Sequence, residues 1–320
     1  MKRLLLFVTA VMILAACGSG SDSSSRKKKE RFGWNGQTLY GDVKSVTEEQ
    51  YVLEGDFGAE TLGQLIERKV YLFDQSHGNC LEHIWEDDFN YEYNTHRTYK
   101  FVYSYDSTGN CIEYKYYVNE TSETPYITTF NTYDSKGNLI ECKDYNNIFD
   151  TFSKHIYTYD SKGNCNEYKY YNEDELVFRS VRTYDSNGNC LEDVRYDVGG
   201  EIIWKYTFRF DSDGNEIESN YYNSTGVLEQ KITHVFNSEG KWIEMNVFGS
   251  DGNLVQKGVA AYDDEGNRIV EVFDSYGEPI KKYIISYDSH KNQRESKNYT
   301  NIAGVWIPES IIKYEIQYFE

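Results

Sequence analysis

Three prolines are all that 320 residues contain, and no long stretch sets its apolar residues at the three-and-four spacing of an amphipathic helix. Helical bundles and layered α/β folds are thereby excluded, and strands remain. Cations are scarce too: 33 Lys and Arg stand against 52 Asp and Glu, a net charge of −19. Residues 32–320 are more one-sided still, with 26 against 50. A surface of that sign repels phosphate backbones, so nucleic acid is excluded as a partner. The apolar run Leu4–Leu14 is too short to span a bilayer. The chain contains no GxSxG, no HExxH, no phosphate loop and no Cys/His pair of catalytic type, and the expectation is that it is not an enzyme. Paired carboxylates are everywhere in so acidic a chain, so they mark no glycosidase site.

What the chain has in abundance is one phrase. TYDSKGN occupies 132–138 and 158–164, and TYDSNGN follows at 183–189. Aligned on its aromatic-Asp pair, the phrase recurs as FDQSHGN (73–79), YDSTGN (105–110), FDSDGN (210–215), FNSEGK (236–241), YDDEGN (262–267) and a degenerate YDSHKN (287–292). From Gly137 onward the turn glycines are 25 or 26 residues apart, an internal period. Weaker turns lie between them: YDVGGE (196–201), YNSTGV (222–227), FGSDGN (248–253) and FDSYGE (273–278). A turn thus comes every 11 to 14 residues, separated by stretches rich in Tyr, Phe, Val, Ile and Thr. That spacing predicts short antiparallel strands joined by hairpins.

Turn chemistry accounts for the letters. Asp at the first position caps the backbone two residues on, and Gly takes the positive φ of a type I turn with a G1 bulge. Four residues past successive turn glycines stand Glu82, Glu113, Glu141, Glu167, Glu192, Glu218 and Glu244. Five before the turn aromatics stand Lys100, Lys154, Arg179, Lys205, Lys231, Lys257 and Lys282. Glu218 and Lys231 are equidistant from the Ser224/Thr225 tip, as are Glu244 and Lys257 from Ser250/Asp251, which predicts directly opposed ion pairs. Leu81, Ile112, Ile140, Leu191, Ile217 and Ile243 precede these Glu residues and predict an aliphatic row on the other face. Doublets such as Tyr116-Tyr117, Tyr170-Tyr171 and Tyr221-Tyr222 place one ring on each face. Some eighteen strands are too many for one flat sheet. The expected fold is therefore all-β: antiparallel hairpin repeats in a curled meander, a β-solenoid-like or a barrel-like body over residues 32–320.

The chain begins MKRLLLFVTAVMILAA, with a basic start and an apolar core, which reads as a signal peptide over 1–16. Leu14-Ala15-Ala16-Cys17 resembles the lipobox of bacterial lipoproteins. The resemblance implies that Cys17 is acylated and tethers the protein to a membrane, and Gly18 in place of Asp points to the outer membrane. Residues 17–31, Gly/Ser-rich and then basic, read as a flexible linker. The YDxxGN tips resemble the YD or Rhs repeats of bacterial wall-associated and secreted proteins across roughly residues 65–295, and YYNSTGVLEQK (221–231) resembles variant MORN-type hairpins. The Rhs resemblance implies strands coiling into a hollow shell, which in large members encloses a toxin. A period of 25–26 and the absence of a following effector segment depart from that pattern, so the expectation is a binding or structural module.

Four constellations bear on a site. DSDGN (211–215) echoes a calcium loop, but its glycine comes at the fourth position instead of the sixth. His77, Cys80 and His83 echo a zinc site, yet Cys80 and His83 are three apart on a strand and face opposite ways. No metal and no cofactor is expected. Cys80, Cys111, Cys142, Cys165 and Cys190 are odd in number; four follow GN directly, and equivalent places in a meander are two strands apart, about 9–10 Å and beyond a disulfide. Trp85, Trp204, Trp242 and Trp306, set in exposed rows, are candidates for stacking on sugar rings, against the plainer reading of sheet packing. The expectation is an envelope lipoprotein binding protein or glycan, with a glycan-processing or other hydrolytic accessory as the alternative.

Overall fold

The computed structural model describes residues 39–87, 97–119 and 121–319. The expected signal peptide at 1–16, the lipidation expected at Cys17 and the expected linker at 17–31 lie outside the described residues. Strand follows strand: β1 (Val43–Glu54), β2 (Thr61–Phe73), β3 (Cys80–Asp87), β4 (Arg97–Tyr105) and β5 (Cys111–Tyr117) open the series. Then come β6 (Ile127–Tyr133), β7 (Leu139–Asn146), β8 (Thr151–Tyr159), β9 (Cys165–Asn172) and β10 (Glu175–Tyr184). The next five are β11 (Cys190–Tyr196), β12 (Ile202–Phe210), β13 (Glu216–Asn223), β14 (Leu228–Phe236) and β15 (Trp242–Gly249). The series ends with β16 (Leu254–Tyr262), β17 (Arg268–Asp274), β18 (Pro279–Tyr287), β19 (Gln293–Ile302) and β20 (Val305–Tyr318). No helix occurs among the described residues.

Each strand pairs antiparallel with the next. One further pairing decides the fold. β1 lies antiparallel to β20, with Val46 opposite Ile316 and Glu49 opposite Lys313. The sheet therefore closes into a 20-stranded barrel, which corrects the expectation of an open meander or a solenoid. Closure has a physical reason, since either alternative leaves two unpaired edges and a barrel leaves none.

The YDxxGN tips join each even strand to the following odd one, so all nine gather at one rim. The weaker turns gather at the other. β1 begins and β20 ends at the YD rim, where the Phe319 amide donates to the Asp42 carbonyl at 2.8 Å. The hydrophobic core sits there too: Val43, Val46, Tyr71, Phe73 and Cys80 are buried together, with Tyr103, Tyr314 and Ile316 packed on them.

Twenty strands about 4.8 Å apart give a round wall a backbone radius of about 15 Å, more when the strands tilt, and one layer of side chains does not fill such a lumen. Alternation divides the wall into two faces. One carries Val46, Tyr71, His83, Thr129, Ser180, Met245, Val247, Ala260, Val272 and Ile285, all buried. Side chains converge on the concave side of a closed sheet and shield one another, so this is the lumenal face.

The opposite, outward face carries a row of Lys–Glu ion pairs. Lys231 reaches Glu218 at 2.9 Å, Lys257 reaches Glu244 at 2.8 Å, Lys100 reaches Glu82 at 2.8 Å and Lys282 reaches Glu271 at 2.8 Å. Direct opposition is corrected, however: Glu218 faces Thr233 and Lys231 faces Asn220. The turn's bulge shifts the register by two residues, which keeps both partners on one face as diagonal neighbours. The aliphatic row is not packed away, for Leu81, Ile112 and Leu191 are exposed near the bulges of the YD rim.

Candidate functional site

The repeat fixes which side chains enter the lumen. At eight of the YD tips an Asp carboxylate holds the turn, and at FNSEGK the Asn237 side chain does. Asp185 accepts from the Asn187 and Asn189 amides at 2.8 and 2.9 Å, and from the Asn189 side chain at 2.9 Å. Gly188 then takes φ +89°, where a Cβ would be strained. The tip tyrosine turns its hydroxyl back: Tyr133, Tyr159, Tyr184 and Tyr262 donate to the carbonyls of Cys111, Leu139, Cys165 and Trp242 at 2.7 to 2.9 Å. With the tips locked, alternate residues of each strand point inward in fixed register, and on β2 to β5 and β9 to β13 many of them are aromatic.

Two aromatic runs line the wall. Tyr71, His83, Phe101 and Tyr116 stack successively across β2 to β5, with centroids 4.1, 4.9 and 4.8 Å apart. Burial pushes the His83 imidazole down to about 4, so the ring is neutral in this stack at neutral pH. A second run crosses β9 to β13. Tyr170 lies 5.3 Å from Phe178, Trp204 5.2 Å from Tyr206, and Tyr206 4.9 Å from Tyr221. Between Phe178 and Trp204 sits the Arg195 guanidinium, 4.0 and 4.6 Å from the two rings. The wall differs on β15 to β17, where Met245, Val247, Gly258, Ala260 and Val272 present small or flexible groups.

Polar groups interrupt the rings on β6 to β9. Asp144 accepts from Thr129 and lies 3.1 Å from His155 Nε2, while His155 Nδ1 lies 2.7 Å from the Tyr168 hydroxyl. Burial opposes ionisation of Asp144, but the His155 and Thr129 donors hold its carboxyl below the usual range. Nearby, burial and the Asp144 charge push the Cys142 thiol up to about 12, so it is not a thiolate nucleophile. A shallow groove of about 200 Å³, lined by Asp144, Asn146, Ser153 and Asn172 among others, opens beside this cluster.

The four candidate tryptophans do not form one exposed row. Trp85 stands 5.0 Å from Tyr99 in the first run, Trp204 stands in the second, and Trp242 touches the aliphatic wall beside Gly258. Trp306 is on the outward face, under the Lys282 ammonium at 4.9 Å. All four are half-buried. His77, Cys80 and His83 also part company: His77 stays in its tip beside Ser76, Cys80 donates to the Glu82 carbonyl at 3.2 Å, and His83 is in the ring stack. The five described cysteines are free. Sequence reasoning missed the clamped Arg195, whose only signal is a basic residue on an inward position of β11. It also missed the asparagine after each tip glycine as a donor, which its recurrence in YDxxGN signals.

Among the described residues, neither face presents the continuous apolar band, about 25 Å tall, that a membrane barrel turns to lipid. Ion pairs occupy the middle of the outward face, and Asp144, Arg182, Asp193 and Arg195 stand on the inward one.

No known protein family matches the chain, and no curated protein matches it. Among solved structures, a porin-like protein from Bacteroides uniformis superposes over 87% of this chain and 99% of its own, at 10% identity and a TM-score of 0.40. The Photorhabdus luminescens Tc holotoxin pore superposes over 84% of this chain but 18% of its own, at 10% identity and a TM-score of 0.29. A protein of unknown function from Bacteroides fragilis covers 60% of this chain and 91% of its own, at 13% identity and a TM-score of 0.18. An all-β barrel is compatible with the outer membrane or another part of the envelope.

Proposed function

We propose that the chain is a cell-envelope lipoprotein whose barrel stands in water and binds glycan along the aromatic wall of its lumen. The observation that carries this reading is the second aromatic run, Tyr170 to Tyr221, on the inward face of the closed sheet. Ring faces of this kind pack against the C–H faces of sugars, and neighbouring hydroxyls and carboxylates take the sugar hydroxyls. The YDxxGN strands supply the scaffold that the Rhs-type resemblance implies. Both ends of the barrel chain lie at the YD rim, so a lipid on Cys17 turns that rim toward the membrane and leaves the other as the entrance.

The test is a glycan array probed with the mature chain and with Trp204→Ala/Tyr206→Ala. Binding by the parent that falls at least tenfold in the variant supports the reading. An array on which the parent retains no glycan sinks it. A hydrolytic accessory role has one observation in its favour, the Asp144–His155–Tyr168 chain; shortened products from any retained glycan would move the reading there.

A further inference from the structure

We propose that the lumenal wall is selective for acidic saccharides, with Arg195 reading a sugar carboxylate; this rests on the glycan reading above. Arg195 is half-buried on β11 and clamped between the Phe178 and Trp204 rings, and its Nε donates to Ser180 Oγ at 3.4 Å. No carboxylate among the described residues pairs with it. That is not for want of acids in a chain of net charge −19. On the outward face Lys100, Lys205, Lys231, Lys257 and Lys282 each hold a glutamate within 2.9 Å. The nearest inward acid, Asp193, is taken by Arg182 at 2.8 Å.

The surroundings of Arg195 argue for an anion of a particular shape. Arg182, Asp193 and Arg195 together leave one positive charge on this part of the wall. The neighbours that share its face supply no second acid: Phe178 and Ser180 on β10, Trp204 and Tyr206 on β12, and Tyr168 across β9. Two flanking rings orient the guanidinium while offsetting part of its desolvation. An arginine fork held in this way offers parallel N–H donors to both oxygens of one carboxylate. Tyr206 and Tyr221, 4.9 Å apart, extend the platform along the wall for the next sugar ring. Charge and stacking surface thus meet at one place, which suits a uronic-acid residue within an oligosaccharide. Sulfated sugars share the negative charge, and an arginine fork also grips two oxygens of a tetrahedral anion, so the two anions are told apart by the experiment.

The test titrates the mature chain with oligogalacturonate, its fully methyl-esterified form and a sulfated oligosaccharide, following tryptophan fluorescence and calorimetric heat. The parent is expected to bind the free acid at least tenfold more tightly than the ester and more tightly than the sulfated probe, with affinity falling as salt rises. Arg195→Gln is expected to lose at least tenfold for the acid and little for the ester, and Arg195→Lys to recover part of the loss. Equal binding of acid and ester by the parent overturns the proposal, and that arm needs no variant to fold. Tighter binding of the sulfated probe overturns the carboxylate assignment. Binding of neutral glycans without preference for the acid defeats the acidic selectivity alone; binding of no saccharide defeats the glycan reading as well.

Discussion

Turns of nearly the same kind occur at both rims of the barrel, and most of them differ by one residue, FGSDGN and FNSEGK excepted. At the weak-turn rim Asp197 accepts a single amide hydrogen bond, from Glu201 at 2.9 Å, and Asp274 accepts those of Tyr276 and Glu278 at 2.9 and 3.0 Å. At the YD rim the corresponding Asp also takes the side-chain amide of the asparagine after the glycine, as Asn138, Asn164 and Asn215 each show at 2.9 Å. Elsewhere the same asparagine ties tips together: Asn79 donates to the Gly109 carbonyl at 2.9 Å, and Asn292 donates to Tyr40 and Tyr318 at the seam. Apolar side chains follow the same division. They are buried as a cluster at the YD rim, whereas Ile148, Phe149, Val198, Tyr276, Ile302 and Val305 stand exposed in the weak turns. The division is not complete: Leu81, Ile112 and Leu191 are exposed near the YD rim, and at the other rim Leu53 and Tyr299 are buried, Tyr299 against Phe57 at 4.9 Å.

The sharpest way to break that contrast is to remove one ring from each rim. Phe73 is 3% exposed and Phe149 68% exposed. Phe73→Ala leaves a cavity in the core and is expected to cost about 3–5 kcal/mol. Phe149→Ala, with its ring already in water, is expected to stay within about 0.5 kcal/mol. Denaturant midpoints of the two variants at equal m-value measure the difference. Similar losses for both would mean that the weak rim is packed as tightly as the other.

A smaller contrast lies in the tips. Asp211 accepts from the Asp213 and Asn215 amides at 2.9 and 2.8 Å and from the Asn215 side chain at 2.9 Å. Asp211→Ala is expected to cost about 1 kcal/mol, as losing a side-chain cap does. Asp197→Ala is expected to cost less than about 0.5 kcal/mol. Acid carries the same comparison without mutation. Desolvation opposes ionisation of Asp211, but the Asn215 donors hold its carboxyl below the ordinary range; at Asp160 and Asp185 the Asn164 and Asn189 donors do the same. A depressed folded pKa contributes stability above the unfolded value of about 3.9, and that contribution fades as pH falls through the lower folded value. Amide exchange should therefore open the YD tips below about pH 4.

These results mark how far the residues alone lead. Strand positions were legible because turn letters recur every 11 to 14 residues, and GVWIPESIIKYEIQYFE alternates as a closing strand must. Closure itself was not, because the pairing of Val46 with Ile316 joins strands some 270 residues apart that carry no mutual signal. The Glu218–Lys231 pair was legible as a neighbour relation, but the bulge that makes it diagonal shows only in the register. Trp85, Trp204, Trp242 and Trp306 looked alike in the sequence, and alternation together with barrel position separated them. Arg195 acquired meaning only once Phe178 and Trp204 were seen on either side of it.

The smallest expected effect sharpens the comparison at the ninth tip, YDSHKN, where the repeat lost its glycine. Lys291 stands there with φ +68°, and its amide still donates to the Asp288 carbonyl at 3.0 Å. The other eight tips place glycine at this position. A residue with a Cβ in the left-handed region costs about 1–2 kcal/mol, whereas glycine, by giving the unfolded chain extra entropy, costs the fold roughly 0.5–1 kcal/mol. The first term is larger, so Lys291→Gly is expected to stabilise the barrel, by about 0.5–1 kcal/mol. The side chain is exposed and makes no ion pair among the described residues, so little is lost with it. Ala303 at φ +51° in the weak turn between β19 and β20 is the matched control. If both glycine variants gain equally, the benefit is generic to left-handed residues. If Lys291→Gly alone raises the midpoint, the tips of the YD rim are where stability is set.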